Sequence, residues 1–363
     1  MNARVDKRPA AVNRDAGAEP LHAAAGLGTP HGAGFPKEPG GRPHTPARLA
    51  PKGDLMTRSA TASPVSVVLA TRGRPQLLRA AVRSIFAQSH PQPIEVIVVF
   101  DGIAIDPLDD LQVPAGRSLR TVPNGRSPGL AGGRNTGIML ASHDLVAFCD
   151  DDDEWLPEKL AKQLRLLEQQ PKASIVATGI RIRTAEAEHD RIPPARARHA
   201  DFVASRITEI HPSSFLLRRN RLLGDIGLVD EDLPAAYGED YDLLLRASAV
   251  APVYSVPEPL VIVNWNRTSF FADRWQGIAD GLSYLLAKFP DFRTDRRGSA
   301  RIEGQIAFAH AALGHRAEAL RWSARTLRHD LRQLRAYAAM LIAVRAVPAA
   351  GLVGFVNSRG RGI

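Results

Sequence analysis

The chain of 363 residues contains one cysteine, Cys149, so no disulfide can form within it and a reducing compartment is the expectation. Cys149 lies inside an apolar run, where it reads as a small packing residue. No apolar run reaches the ~18 to 20 residues that a spanning helix needs. The nearest, Ala336 to Val356, is broken by Arg345 and Pro348. The N-terminus also lacks the charged, apolar, small-residue order of a signal peptide. Aromatics make up only 6% of the residues, and the basic C-terminal stretch offers few stacking platforms, Trp322 and Tyr337 among them, which argues against nucleic acid as a partner. These absences together describe a cytoplasmic protein.

Charge is unevenly placed. The net +9 divides into +4 for residues 1–62, −4 for 63–292 and +9 for 293–363. A basic end of this kind suits an anionic acceptor or peripheral contact with an anionic membrane at its inner face, or simply an Arg-rich solvent face on helices. Residues 1–62 are rich in Ala, Gly, Pro and Arg without hydrophobic period, which predicts disorder. The position of Met56, eight residues before the first strand, raises the hypothesis that translation starts there.

Order begins at Pro64. Val65 to Ala70 is an apolar strand, followed by T-R-G-R-P and a helix from about Gln76 to Gln88 with Leu77, Leu78, Ala81, Val82 and Ile85 on one face. Strands at Ile94 to Phe100 and Leu119 to Val122 lead into a glycine-rich stretch, Asn124 to Gly137, and a helix ending near Ser142. A strand–helix–strand unit implies parallel pairing, with ligands at the carboxyl ends of the strands. A helix from Pro157 to about Gln169 and a strand from Ser174 to Ile182 continue the pattern, and Thr184 to Ala204 reads as a surface excursion. The E-D pair Glu239-Asp240 opens a helix with Tyr241, Leu244, Leu245 and Ala247 on its buried face. Val253 to Val256 and Leu260 to Asn264 are short strands. From Trp275 the pattern is helical, and Ile306 to Leu327 resembles one tetratricopeptide-like hairpin, which must pack on the rest of the chain or on another subunit.

The chemistry concentrates in D-L-V-A-F-C-D-D-D-D-E-W, Asp144 to Trp155. Alternate residues at a strand end point to the same face, which places Asp150 and Asp152 about 6 to 7 Å apart, a spacing that suits one hard divalent ion. Four acids in a row also occur as a plain solvated turn, and Glu239-Asp240 equally serves as helix capping.

With its motifs assembled, the chain resembles family 2 of the glycosyltransferases over roughly Pro64 to Trp265. The segments V-S-V-V-L-A-T-R-G-R-P, S-I-F-A-Q-S-H, E-V-I-V-V-F-D-G, G-G-R-N-T-G, F-C-D-D-D-D-E-W and G-E-D-Y-D-L-L-L-R carry the resemblance in register. It implies the α/β nucleotide-diphosphosugar transferase fold called GT-A, a mainly parallel Rossmann-like sheet flanked by helices, over residues 63–270, with residues 271–363 as a helical extension. It implies inverting transfer of a sugar from a nucleoside-diphosphate donor, with uracil the usual base, to a hydroxyl of a glycan or lipid-linked acceptor, aided by Mn2+ or Mg2+. Asp101 takes the place of the acid that binds the base, and Asp150 and Asp152 those of the D-x-D acids, with Asp152 the firmer metal ligand and Asp151 near the ribose or sugar. Asp240 takes the place of the general base. Thr71, Arg72, Arg74, Arg134 and Asn135 fall at donor-binding positions, and Glu239, Asp153 and Trp155 at supporting ones. Departures from the pattern fall at Phe100-Asp101, where the family usually has two acids, and at Arg72-Gly73, where it often has an aromatic and Asn. A non-catalytic nucleotide-sugar-binding or scaffold protein on the same fold is the competing class.

Overall fold

The computed structural model describes residues 62–265 and 275–347. The expectations for residues 1–61, Met56 included, and for the end of the basic tail lie outside the described residues.

Strand β1 (Val65–Thr71) is followed by helix α1 (Pro75–Phe86), then β2 (Ile94–Phe100), β3 (Arg117–Pro123), α2 (Leu130–Leu140) and β4 (Leu145–Phe148). Branched residues fill β1 and β2, which lie buried throughout apart from Ala70, as strands with both faces covered require. Proline at the first position of α1 costs no hydrogen bond, and Leu78, Ala81, Val82, Ile85 and Phe86 form its buried stripe. The sheet runs β3-β2-β1-β4 with every neighbour parallel, so the chain builds outward from β1 on one side and then crosses to the other. The carboxyl ends of β1 and β4 therefore face a topological switch point, where open α/β sheets bind ligands.

Helix α2 is pressed onto β1. A Cβ on Gly133 would lie 2.8 Å from the Ala70 Cβ, and one on Gly137 would lie 2.2 Å from a Val68 methyl. Only glycine permits that approach, and it brings Arg134 and Asn135 to the strand ends.

The second half adds β5 (Asp153–Trp155), α3 (Lys159–Gln169), β6 (Ile175–Arg183), β7 (Glu188–Arg191), β8 (Arg196–Ala197), α4 (His199–Ala204), β9 (Leu216–Arg218), α5 (Arg219–Leu222), α6 (Glu239–Val250) and β10 (Val253–Asn264). The sheet continues from β4 through β9, β6 and β10 to β5; β9 and β5 run antiparallel, and β6 and β10 are parallel. The expected surface excursion is instead ordered: β7 folds back on β6 as a polar hairpin held by Arg181–Asp190 and Arg183–Glu188 pairs. Its residues face solvent, so no apolar alternation announced it. The two short strands expected after α6 are one strand, with register shifts around Pro259.

Helices α7 (Trp275–Lys288), α8 (Arg296–Ala312), α9 (Arg316–His329) and α10 (Leu334–Ala343) follow. The expected hairpin is α8–α9, turning at Gly314, and α10 packs against both. These helices share a core with the sheet, since Leu282, Leu285, Ile302 and Ile306 join Val68, Phe148, Tyr241 and Leu244 in one cluster. The opposite sheet face is covered by α1 and α3. Among the described residues no helix is long and apolar enough to cross a membrane.

Candidate functional site

The ends of β1, β2 and β4, the start of α2 and the start of α6 meet at the switch point. Asp101, directly after β2, is buried, and its carboxylate accepts from Asn124 Nδ2 at 2.9 Å and from the Gly129 amide at 3.0 Å. Arg72 lies 3.8 Å from it with a side chain 65% exposed, so its charge is free to turn toward a ligand.

The acids after β4 do not continue the strand. Phe148 is its last residue, and Asp150 to Asp153 form a turn closed by the Asp153 amide bonding the Asp150 carbonyl at 3.2 Å. The alternation expected of a strand end is thereby lost, and each carboxylate takes its own direction. Asp151 accepts from Thr71 Oγ1 at 2.6 Å and from Arg74 at 3.0 Å. Asp152 pairs with the same Arg74 guanidinium. Asp150 pairs with Arg134 at 2.6 Å. Asp153 is buried, accepts from Ser213 Oγ at 2.5 Å and lies 3.4 Å from His211 Nδ1. Trp155 donates its indole N–H to the Ser213 carbonyl at 2.9 Å, and the buried Lys159 ammonium sits 3.7 Å from its ring centre.

Burial, with like charge nearby, raises three of these carboxyls. Burial and the neighbouring Asp150 push Asp152 up to about 6, and burial raises Asp151 and Asp153 as well. Asp150, Asp153 and His211 can each offer one ligand atom, all within 4.8 Å of one another. Two carboxylates and an imidazole so placed can hold a divalent cation.

Arg134 joins the two halves of the site. Its side chain is 3% exposed, donates to Asp150 and donates to Glu239 Oε1 at 2.8 Å. Asn135, the next residue, faces elsewhere: it donates to the Val229 carbonyl and Glu231 and accepts from the Val229 amide, tying that loop to α2. Burial, with Asp240 adjacent, pushes Glu239 up to about 7 despite Arg134. Burial opposes ionisation of Asp240 too, but Arg206 donates to both its oxygens at 2.8 Å and holds that carboxyl below its usual range.

His211, Ser213, Arg206 and Glu231 join the site without belonging to any of the motifs that carry the family resemblance. Ser213 is a hub, since its hydroxyl accepts from the Asp150 amide at 3.0 Å while donating to Asp153. None of the four sits in a periodic pattern, and each finds its partner across 34 residues or more, so no local signal marks them.

A family model described as Glycosyl transferase family 2 matches residues 66–223. The uncharacterized glycosyltransferase YwdF of Bacillus subtilis (strain 168) is 30% identical over 208 residues, 54% of this chain and 73% of that protein. An Escherichia coli protein, the UDP-Glc:alpha-D-GlcNAc-diphosphoundecaprenol beta-1,3-glucosyltransferase WfaP, is 28% identical over 104 residues, 29% of this chain and 41% of its own length. Among solved structures, mannosyltransferase PcManGT from Pyrobaculum calidifontis, in complex with GDP-Man and Mn2+, aligns with a TM-score of 0.50 at 18% identity. The alignment covers 81% of this chain and 79% of that one, a likeness of fold.

Proposed function

The chain belongs to glycosyl transferase family 2 and has the GT-A fold, and from that premise we propose that it transfers a sugar, with inversion, from a UDP-sugar to a hydroxyl of a glycan or lipid-linked acceptor. One contact supports this above all: the Arg134 guanidinium lies between Asp150 of the acid turn and Glu239 of the E-D pair, so the two halves of the site share one side chain. The E. coli relative acts on UDP-Glc and a diphosphoundecaprenol-linked acceptor, which agrees with this donor and acceptor class.

In this reading the nucleotide lies along Thr71, Arg72 and Asp101, with Asp151 toward the ribose and Arg74 and Arg134 toward the donor phosphates. Mn2+ or Mg2+ would be held by Asp150 and Asp152, which keep 24% and 29% of their side chains exposed, with Asp153 and His211 grouped beside Asp150 as further ligand groups. Ser213 holds both groups in place, its hydroxyl donating to Asp153 and its amide to His211 Nδ1 at 3.3 Å. Such an ion supplies Lewis-acid stabilisation of the departing diphosphate.

The acceptor oxygen attacks the anomeric carbon on the face opposite the diphosphate. The bond from that carbon to the phosphate oxygen breaks, its electron pair leaves with the nucleoside diphosphate, and the hydroxyl proton passes to Asp240. Positive charge at Arg74 and Arg134 favours the negative charge that develops. The basic helical end suits work at an anionic membrane surface.

The test offers UDP-, dTDP- and GDP-sugars with Mn2+ and a lipid-diphosphate-linked sugar as acceptor, and reads the new linkage by proton NMR. Transfer from a UDP-sugar with inverted configuration is expected. Retained configuration, or no turnover of any donor, overturns the reading.

A further inference from the structure

Arg206, paired with Asp240, and Arg301 flank the Tyr241 ring, and Arg335 lies within electrostatic reach of Arg301 and Tyr237. Arg206 follows α4, Arg301 lies on α8 and Arg335 on α10. The guanidinium carbons of Arg206 and Arg301 stand 5.9 and 5.4 Å from the centre of the Tyr241 ring. Arg301 donates to the Tyr241 hydroxyl at 2.6 Å, and that hydroxyl donates to the Phe202 carbonyl at 2.5 Å. Arg335 on α10 packs at Gly304 of α8, three residues after Arg301, where a Cβ on Gly304 would lie 3.5 Å from the Arg335 Cβ. Tyr237 lies within electrostatic reach of all three.

Only one of these charges is answered. Arg206 has Asp240, whereas among the described residues neither Arg301 nor Arg335 has a carboxylate partner. Glu303, two residues from Arg301, pairs with Arg325 instead. The Nε of Arg301 is buried without any hydrogen-bond partner. Burial lowers the pKa of both unpaired arginines, and Arg301 lowers that of Arg335 further. Arg301 and Arg335 are both partly buried, holding unpaired like charges at reduced hydration is unfavourable, and tyrosine hydroxyls do not neutralise them. A phosphate does, with up to two negative charges and oxygens that match the guanidinium fork.

We propose that Arg206, Arg301 and Arg335 form a subsite for a phosphate group of the acceptor, so that the attacking hydroxyl belongs to a molecule that itself carries phosphate. This rests on the function proposed above and narrows its acceptor. The phosphate competes with Asp240 for Arg206. Arrival of the acceptor therefore loosens the clamp on the base at the moment a proton has to be taken, and the clamp keeps the base occupied while the acceptor is absent. The C-terminal helices supply two of the three arginines, which gives that region a part in acceptor selection.

The phosphate can be the diphosphate of a lipid-linked sugar or a diester in a polymer backbone, and the test separates them. Full-length protein saturated with UDP and Mn2+, so that the donor subsite is filled, is titrated calorimetrically with four probes. These are N-acetylglucosamine 1-phosphate, geranyl diphosphate, glycerophosphoglycerol and uncharged methyl N-acetylglucosaminide. At least one phosphate probe should bind and the methyl glycoside should not; preference for the first two indicates a lipid-linked acceptor, preference for the third a polymer. Arg301→Gln and Arg335→Gln should each weaken the bound probe about tenfold or more, with UDP affinity unchanged. If Arg301→Gln fails to fold, Arg301→Lys and Arg335→Gln decide. Probe binding equal in wild type and variants, or no phosphate binding by protein that binds UDP, overturns the subsite. Failure to bind UDP overturns the donor reading instead, and the subsite is then judged by the same probes on nucleotide-free protein.

Discussion

Replacing Arg134 by glutamine tests whether the acid turn and the E-D pair are held together as described. The guanidinium makes bonds of 2.6 Å to Asp150 and 2.8 Å to Glu239, is 3% exposed, and lies 5.6 Å from the Phe148 ring centre. Removing one partner from a buried ionic network costs about 3–5 kcal/mol, because the remaining charges stay buried without compensation. The loss should depend on pH. Glu239 has a folded value of about 7, raised from the ordinary 4.5. Its contribution to stability is therefore full below the unfolded value and lost as pH rises through 7. Without Arg134 its folded value climbs further, so above pH 7 the variant goes on losing stability after the wild type has levelled. The gap should grow by up to about 1 kcal/mol from pH 7 to pH 8 and by no more than about 0.4 kcal/mol from 6 to 7. Urea denaturation of both proteins at pH 6, 7 and 8 measures it. A gap under about 1 kcal/mol, or one flat across this range, would refute the account of Arg134.

Three further outcomes follow from the same contacts. Asp240→Asn should lower transfer by on the order of 10²- to 10⁴-fold while leaving UDP affinity within about twofold, read from initial rates and calorimetry; near-normal turnover would remove Asp240 from the role of base. Asp152→Asn should weaken UDP binding about tenfold or more with Mn2+ present and little in its absence, and an equal loss in both conditions would speak against an ion at that carboxylate. Gly137→Ala forces a Cβ to within 2.2 Å of a Val68 methyl. It should destabilise the fold by about 1–3 kcal/mol even though alanine favours helix, and an unchanged urea midpoint would show that α2 does not depend on that close approach.

Much of this architecture was legible because it is local. The strands β1, β2 and β4 are continuous apolar runs, α1 carries its stripe, and the motifs at Thr71, Asp101, Arg134, Asp150 and Asp240 all fall at the junctions where the sheet edge forms. What the sequence hid is long-range or polar. Helix α6 was expected to bury one face, yet Glu239, Asp240 and Asp242 are buried too. The C-terminal helices help enclose it, and Lys288 on α7 and Arg246 pair with Asp242. The directions of the four aspartates depend on a turn closed after β4 and on the placing of Arg74, Arg134 and Ser213, and no spacing rule contains that information. The clamp of Arg206 on Asp240 spans 34 residues and two elements, so only the assembled fold displays it.

The most direct test of the donor site is a calorimetric titration of the wild-type protein with UDP, with and without Mn2+. The account predicts binding that strengthens at least about tenfold when Mn2+ is present, because an ion held by the Asp150–Asp152 turn would offset its repulsion of the diphosphate. Absence of UDP binding, or an affinity indifferent to the ion, would contradict it.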